Sequence, residues 1–130
     1  EHGKHIAEGA RAFKAMVALA RRHFGLDALG DITVVEGDAT IQVHALPGRY
    51  ALVLVDLFDD LDLARGVETM GFLHGLRDRC AEGGVVCFNT VAYDEASDAR
   101  CQRVFDGLRR VFHTVEELRL EEVNRVFIAR

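Results

Sequence analysis

Several absences narrow the class of this chain before any motif is read. No apolar run approaches the roughly 20 residues of a membrane span, and no leader-like segment precedes the first element, so the sequence is not read as a membrane protein. Positive charge is not in excess: 16 lysines and arginines stand against 21 aspartates and glutamates, a formal net charge of −5. A nucleic-acid partner, which needs a positive face for its phosphates, is therefore not expected. Cys80, Cys87 and Cys101 are an odd number at unrelated spacings. They predict reduced thiols in a cytoplasmic protein rather than a disulfide framework. Metal sites are not expected either, since no Cys-x-x-Cys or His-x-x-x-His pattern occurs; His2 and His5 share a helix face without reading as ligands. Repeats, linkers and low-complexity tracts are also missing.

What remains is an ordinary globular composition. Hydrophobic residues make up 49% of the 130 positions and charged residues 28%, enough to bury a core and to form one domain over residues 1–130. The chain opens with Glu rather than Met, as a fragment, a trimmed form or a processed form would.

Ile6, Ala10, Phe13, Val17, Ala20 and Phe24 recur at spacings of four and three, one face of an amphipathic helix. Arg21, Arg22 and His23 suit its C-terminal dipole, and Gly25 suits the residue after its end. Gly3 and Gly9 weaken the start, where His5-Ile-Ala-Glu8 reads alternatively as a short strand. The stripe itself reads as core packing against the domain's own sheet. Asp31-Ile-Thr-Val-Val-Glu36 is a β-branched strand closed by Gly37-Asp38, and Pro47-Gly48 marks a further turn. Tyr50-Ala-Leu-Val-Leu-Val55 is apolar throughout, as a central parallel strand covered on both faces should be. A helix carrying Met70, Leu73 and Leu76 leads to the turn Glu82-Gly-Gly84 and a buried strand at residues 85–88, ending at Asn89-Thr90. Cys101, Val104, Phe105, Leu108 and Phe112 form the stripe of another helix, with Ser97 or Asp98 as N-cap. Residues 114–120 and 124–129 form an antiparallel hairpin at the sheet edge. Strands alternating with helices in this way predict a Rossmann-like α/β fold with a mainly parallel sheet and flanking helices.

In such sheets ligands bind beyond the carboxyl ends of the strands. Polar residues stand there at Asp38, at Asp56 with Asp59 and Asp60, and at Asn89-Thr90. A carboxylate leaving an apolar strand acts strongly on a bound amine or cofactor. The plainer reading is that each Asp caps the next helix or solvates a loop. Cys87, inside a strand, reads as packing, and Tyr93 as a loop residue near the proposed site.

Met16-Val-Ala-Leu-Ala-Arg-Arg-His-Phe-Gly-Leu26, Val34-Val-Glu-Gly-Asp-Ala39, Tyr50-Ala-Leu-Val-Leu-Val-Asp-Leu-Phe-Asp59, Gly83-Gly-Val-Val-Cys-Phe-Asn89 and Asn124-Arg-Val-Phe-Ile-Ala129 occur in the order found in spermidine synthases. From about residue 15 onward the chain resembles that family, whose core is shared with S-adenosylmethionine-dependent methyltransferases. The resemblance implies that Asp38 reads the adenine amino group and that Ala39 lines the same pocket. It makes Asp56 the base that takes a proton from the attacking amine. It places Asp59 on the polyamine and Asn89 where many members contact the amine with a Gln. The implied donor is decarboxylated S-adenosylmethionine or S-adenosylmethionine, and the implied acceptor a small amine.

The chain also departs from that pattern. The glycine-rich loop after the first strand has no counterpart in it. The acidic ribose-binding position falls on Arg11, which offers no acceptor. Glu8 serves there only if residues before Phe13 form a strand shifted by three. Leu61-Asp-Leu-Ala-Arg-Gly66 replaces the usual gate loop, and Tyr50-Ala51 the usual Tyr-Asp. Three functions follow: a spermidine synthase-like transferase; a non-catalytic binding or dimerisation scaffold, using the N-terminal helix against a partner or second copy; and an S-adenosylmethionine-dependent methyltransferase.

Overall fold

The computed structural model describes residues 2–130, with side chains described from Phe13 onward. The chain clusters into two compact units, Glu1–Gln42 and Val43–Arg130.

In the first unit, helix α1 spans His2–His23 and ends with Arg21, Arg22 and His23 in its last turn. Gly25 follows at φ 67°, a left-handed position glycine adopts without strain, and a short 3-10 turn covers Leu26–Ala28. The alternative strand at residues 5–8 is not formed, because that backbone is helical. The side chains of Glu8 and Arg11 lie outside the described residues, as do those of His2 and His5. Residues 31–36 form no strand, contrary to expectation: no described segment offers them a ladder, and an apolar β-branched run is not a strand without one. Of the α1 stripe, Phe13 and Phe24 are exposed, Phe24 by 83%, whereas Val17 and Ala20 are half-buried.

Helix α2 (Ala39–Ala45) occupies a stretch whose mixed polar and apolar residues gave no helical period in sequence. The second unit holds a four-stranded sheet in the order β1 (Tyr50–Val55), β4 (Cys80–Val91), β6 (Asn124–Ala129), β5 (Val115–Leu120). β1 runs parallel to β4, β6 antiparallel to β4, and β5 antiparallel to β6, so β1, β4 and β5 share one direction. A small antiparallel hairpin, β2 (Phe58–Asp59) and β3 (Asp62–Leu63), follows β1. The fold is thus the expected mixed α/β architecture with its C-terminal antiparallel hairpin.

Helices α3 (Met70–Arg79) and α4 (Glu95–Val111) cover one face of the sheet. Along β4, Gly84, Val86, Phe88 and Thr90 are buried in alternation, the period of a strand with one packed face. Phe72 of α3 meets Phe88 edge-on at 6.4 Å between ring centroids, and Phe105 of α4 meets Phe127 at 5.2 Å. On β1, Val53 and Val55 pair with Val86 and Phe88 and share their packed face. Leu52 and Leu54 point the other way and are 55% and 71% exposed. β1 is therefore an edge strand covered on one face, not a central one covered on both. The cap of α4 also differs from expectation. Asp94 takes that role in a capping box with Ser97, so the helix starts at Glu95. Among the described residues, no helix is long and apolar enough to cross a membrane, and all three cysteines are free.

α3 and α4 approach where Gly107 has no side chain. A Cβ there would lie 2.4 Å from Leu73 Cδ1, and Leu73 is wholly buried. Gly107→Ala should therefore destabilise the domain by about 1–3 kcal/mol through overpacking. In a Leu73→Ala background the same change should cost nothing, or gain up to about 1 kcal/mol from helix propensity. Urea unfolding followed by circular dichroism checks both; an equal penalty in the two backgrounds would contradict this packing.

Candidate functional site

Asp56 is the first residue beyond β1. The β1–β4 register sets Val55 opposite Phe88, so Asp56 emerges beside Asn89 on the neighbouring strand. Asn89 donates from Nδ2 to Asp56 Oδ1 at 3.0 Å. Its own Oδ1 accepts from Asn124 Nδ2 at 3.4 Å, at the start of β6. An ionised carboxylate only accepts, so Asn89 must turn its amide nitrogen toward Asp56 and its oxygen toward Asn124. Three strand ends are thus joined in a chain whose donors all point toward one carboxylate, each bond polarising the next. Asn89 lies within β4, two residues before its end, because the strand is longer than its apolar stretch.

The other expected residues fall elsewhere. Asp38 caps α2: its Oδ1 accepts from Thr40 N at 2.8 Å and from Thr40 Oγ1 at 2.6 Å. That is the plainer capping role, and it leaves the second carboxylate oxygen as acceptor. Ala39 is the first residue of that helix. Asp38 belongs to the first unit and Asp56 to the second. Asp59 sits in the β2–β3 hairpin opposite Asp62, across a turn in which Asp60 is left-handed at φ 59°. Asp and Asn tolerate that conformation better than most residues.

What anchors this acidic hairpin is Arg100 on α4. Its guanidinium donates to Leu63 O at 2.6 Å, to Ala64 O at 3.0 Å and to Glu68 Oε2 at 2.9 Å, and pairs with Asp62 at 3.2 Å. Asp59, Asp62, Glu68 and Arg100 border a hollow of about 340 Å³. Burial pushes the Glu68 carboxyl up, but hydrogen bonding and charge from Arg100, with a contribution from Arg103, outweigh it and hold the group below its ordinary value. The Arg100 guanidinium is raised in turn, first by its hydrogen bond to Glu68. The Tyr93 phenol is pushed up by desolvation, then by the charges of Asp62, Asp94 and Asp60, so it remains a neutral donor. Arg100 and Asn124 carried no signal in sequence, because their partners lie 32 to 38 residues away. Among the described residues, no group of three or more His, Cys, Asp or Glu side chains is placed to hold a metal ion.

With this geometry in hand, comparison with known proteins finds the fold and no sequence family. Neither a family model nor a curated protein sequence matches the chain. Among solved structures, it is similar to human methyltransferase-like protein 13 in complex with SAH, with a TM-score of 0.73 and 21% identity over 90% of this chain. It is also similar to a protein from Clostridium thermocellum assigned as an rRNA methylase, with a TM-score of 0.67 and 14% identity over 89% of this chain. The chain spans 57% of the length of the human protein and 69% of the bacterial one. At these identities the likeness is one of fold. It supports the methyltransferase-like core of the sequence reading and lends nothing to its polyamine part.

Because Glu68 is held below the ordinary carboxylate value of 4.5, its contribution to stability is complete above that value. It is lost as pH falls through the lowered value of the folded state. Glu68→Gln should therefore flatten the acid limb of stability against pH below about 4.5, where the parent chain loses stability. Thermal melts from pH 3 to pH 7 measure it, and parallel acid limbs would count against the Glu68–Arg100 pairing.

Proposed function

We propose that this domain is the acceptor-side part of an S-adenosylmethionine-dependent transferase of methyltransferase fold. In this reading Asp56, oriented by Asn89 and Asn124, binds and deprotonates a small amine. The observation that carries it is the Asn89 Nδ2 to Asp56 Oδ1 bond of 3.0 Å at adjacent strand ends. That edge is where ligands of open α/β sheets bind, and the fold is the one human methyltransferase-like protein 13 uses in its complex with SAH.

A donor of that type fits the described residues at one end only. Asp38 has an oxygen left for an adenine amino group, and Ala39 beside it presents no bulk. No described side chain in the first unit supplies the ribose-binding acid at the end of a strand, since that segment is helical. When bound, the donor contributes an electrophilic carbon on a sulfonium; the protein's own groups do the rest. An ammonium has no lone pair with which to attack carbon, so the acceptor must lose a proton. Asp56 offers both an attractive charge and a place for that proton. Asn89 leaves one carboxylate oxygen for the substrate and fixes the other. Asp56 is exposed, so solvent screens its charge until a bound acceptor displaces the surrounding water.

Methyl transfer is the form of the reaction closest to the structural neighbours. Aminopropyl transfer from decarboxylated S-adenosylmethionine, as in the spermidine synthase reading, draws on one further observation. The hairpin carries Asp59 and Asp60 within a few residues of Asp56, a charge density suited to an acceptor with more than one ammonium group.

Thermal shift and calorimetry with S-adenosylhomocysteine and with each donor test the reading. Saturable binding should raise stability by about 2.7 kcal/mol at roughly a hundredfold excess over Kd. Turnover with a diamine should fall by about 10²–10⁴-fold in Asp56→Asn, with S-adenosylhomocysteine affinity unchanged. Product mass separates methyl from aminopropyl transfer. Unchanged melting at millimolar ligand would remove the transferase reading and leave the scaffold.

A further inference from the structure

A second hollow lies at the other end of the sheet, where β1 and β4 begin and β6 ends. Its volume is about 620 Å³. Arg49 precedes β1, Arg77 lies in the last turn of α3, and Arg130 follows β6, so three separate elements contribute an arginine to the lining of one cavity. His113 and Thr114, after α4, complete the wall, and Glu82 is the one carboxylate in it.

Two of these three arginines are not consumed by neighbouring acids. Among the described residues, no carboxylate pairs with Arg49 or Arg77, whereas Arg130 has Glu116 at 3.2 Å. Arg77 lies over the Phe112 ring, 5.9 Å from its centroid. That contact uses the face of the guanidinium and leaves its N–H edge to other partners. Complementing the C-terminal dipole of α3 accounts for Arg77 alone, because Arg49 and Arg130 belong to strand ends. The backbone pair between Thr114 and Arg130, at 2.9 and 3.0 Å, fixes that corner.

The remaining side of the hollow is the beginning of β4, Cys80 to Gly84. Between the pairs Tyr50↔Cys80 and Leu52↔Val85, β1 advances two residues while β4 advances five. The surplus bulges out as Ala81-Glu-Gly-Gly84. Gly83 is left-handed at φ 73°, with open space where a side chain would stand. At Gly84 a Cβ would lie 2.9 Å from Ala81 O and Cys80 Sγ, so the bulge closes only without one.

The geometry points to a binding site for a small anion carrying more than one phosphate group. Guanidinium forks match phosphate oxygens bidentately, and the two unpaired forks of Arg49 and Arg77, with Arg130 shared by Glu116 beside them, exceed what a single phosphate needs. At Gly83 no side chain stands between the backbone of the bulge and the hollow. The volume falls within the roughly 300–1,000 Å³ of small-molecule sites. A nucleic-acid strand fits less well: the chain is acidic at −5, and an extended duplex or single strand calls for a continuous positive track. This site does not depend on the transferase reading, since it shares no residue with the Asp56 edge.

Titration of inorganic pyrophosphate into the ¹⁵N-labelled full chain, at constant ionic strength, tests it. Saturable amide shifts centred on Gly83, Gly84, His113 and Thr114 are expected. Binding should weaken by at least about tenfold in Arg49→Gln and in Arg77→Gln and be unaltered in Asp56→Asn. Arg49 is exposed, so its variant remains informative even if loss of the Phe112 contact unfolds the other. Shifts that fail to saturate, that sodium chloride reproduces, or that persist in Arg49→Gln would overturn the proposal. So would tighter binding of a single-stranded oligonucleotide at the same amides, which would make the site a nucleic-acid contact.

Discussion

The parallel ladder between β1 and β4 is the constraint on which both ends of the second unit rest. At its carboxyl end the register sets Val55 against Phe88 and so delivers Asp56 to Asn89. At its amino end the same ladder takes up three surplus residues of β4, and the resulting bulge forms one side of the basic hollow. The ladder is held by burial on one face only. Val55, Val86 and Phe88 are nearly inaccessible beneath α3 and α4, and a one-residue slip would carry them to the open face while moving Asp56 away from Asn89. Core packing and site geometry are consequently the same requirement: side chains with no part in binding determine which carboxylate meets which amide.

Arg100 extends that requirement to the loop. Residues 62–68 send Leu63 and Val67 into the core, while their polar groups need partners of their own. Here a single guanidinium engages two carbonyl oxygens and two carboxylates, tying the hairpin to α4. Its five N–H donors in a rigid plane suit this multiple engagement, which an ammonium on a flexible stem would not reproduce. The acids around it matter differently according to their exposure. Glu68 and Arg100 are mostly screened from water, so their pairing is felt in the titration of Glu68. Asp59 and Asp60 face solvent and shape a field rather than a fixed bond.

Legibility in the sequence followed the range of the interactions. The α3 and α4 stripes, the β6 boundaries and the terminal hairpin were readable, because alternation and helical period are written over a few adjacent residues. Asp56 and Asn89 were readable as strand-end polar residues, and the structure brings those two together. Arg100 and Asn124 were not, since their roles arise from partners over 30 residues distant. Local chemistry also misled: Asp94 outcompeted Ser97 and Asp98 for the α4 cap because Ser97 could return the bond and complete a box. Asp38 was expected to face a nucleoside, and the hydrogen bonds it makes are those of a helix cap.

The two misjudged strands share one physical cause. Residues 31–36 and 50–55 are both runs of β-branched or aliphatic residues, the composition of segments buried between neighbours. The first forms no ladder, and the second has Leu52 and Leu54 largely exposed on an unpaired edge. Natural edge strands are ordinarily blunted by Lys, Pro, a bulge or an inward charge. β1 carries none of the first three between Leu52 and Val55 and no charge at all. Composition therefore reports the surroundings for which these segments are suited, while the secondary structure reports only the partners that the described chain supplies. Where the two disagree at a free sheet edge, the backbone groups of that edge remain able to accept another strand, and the exposed leucines add an apolar contribution to doing so.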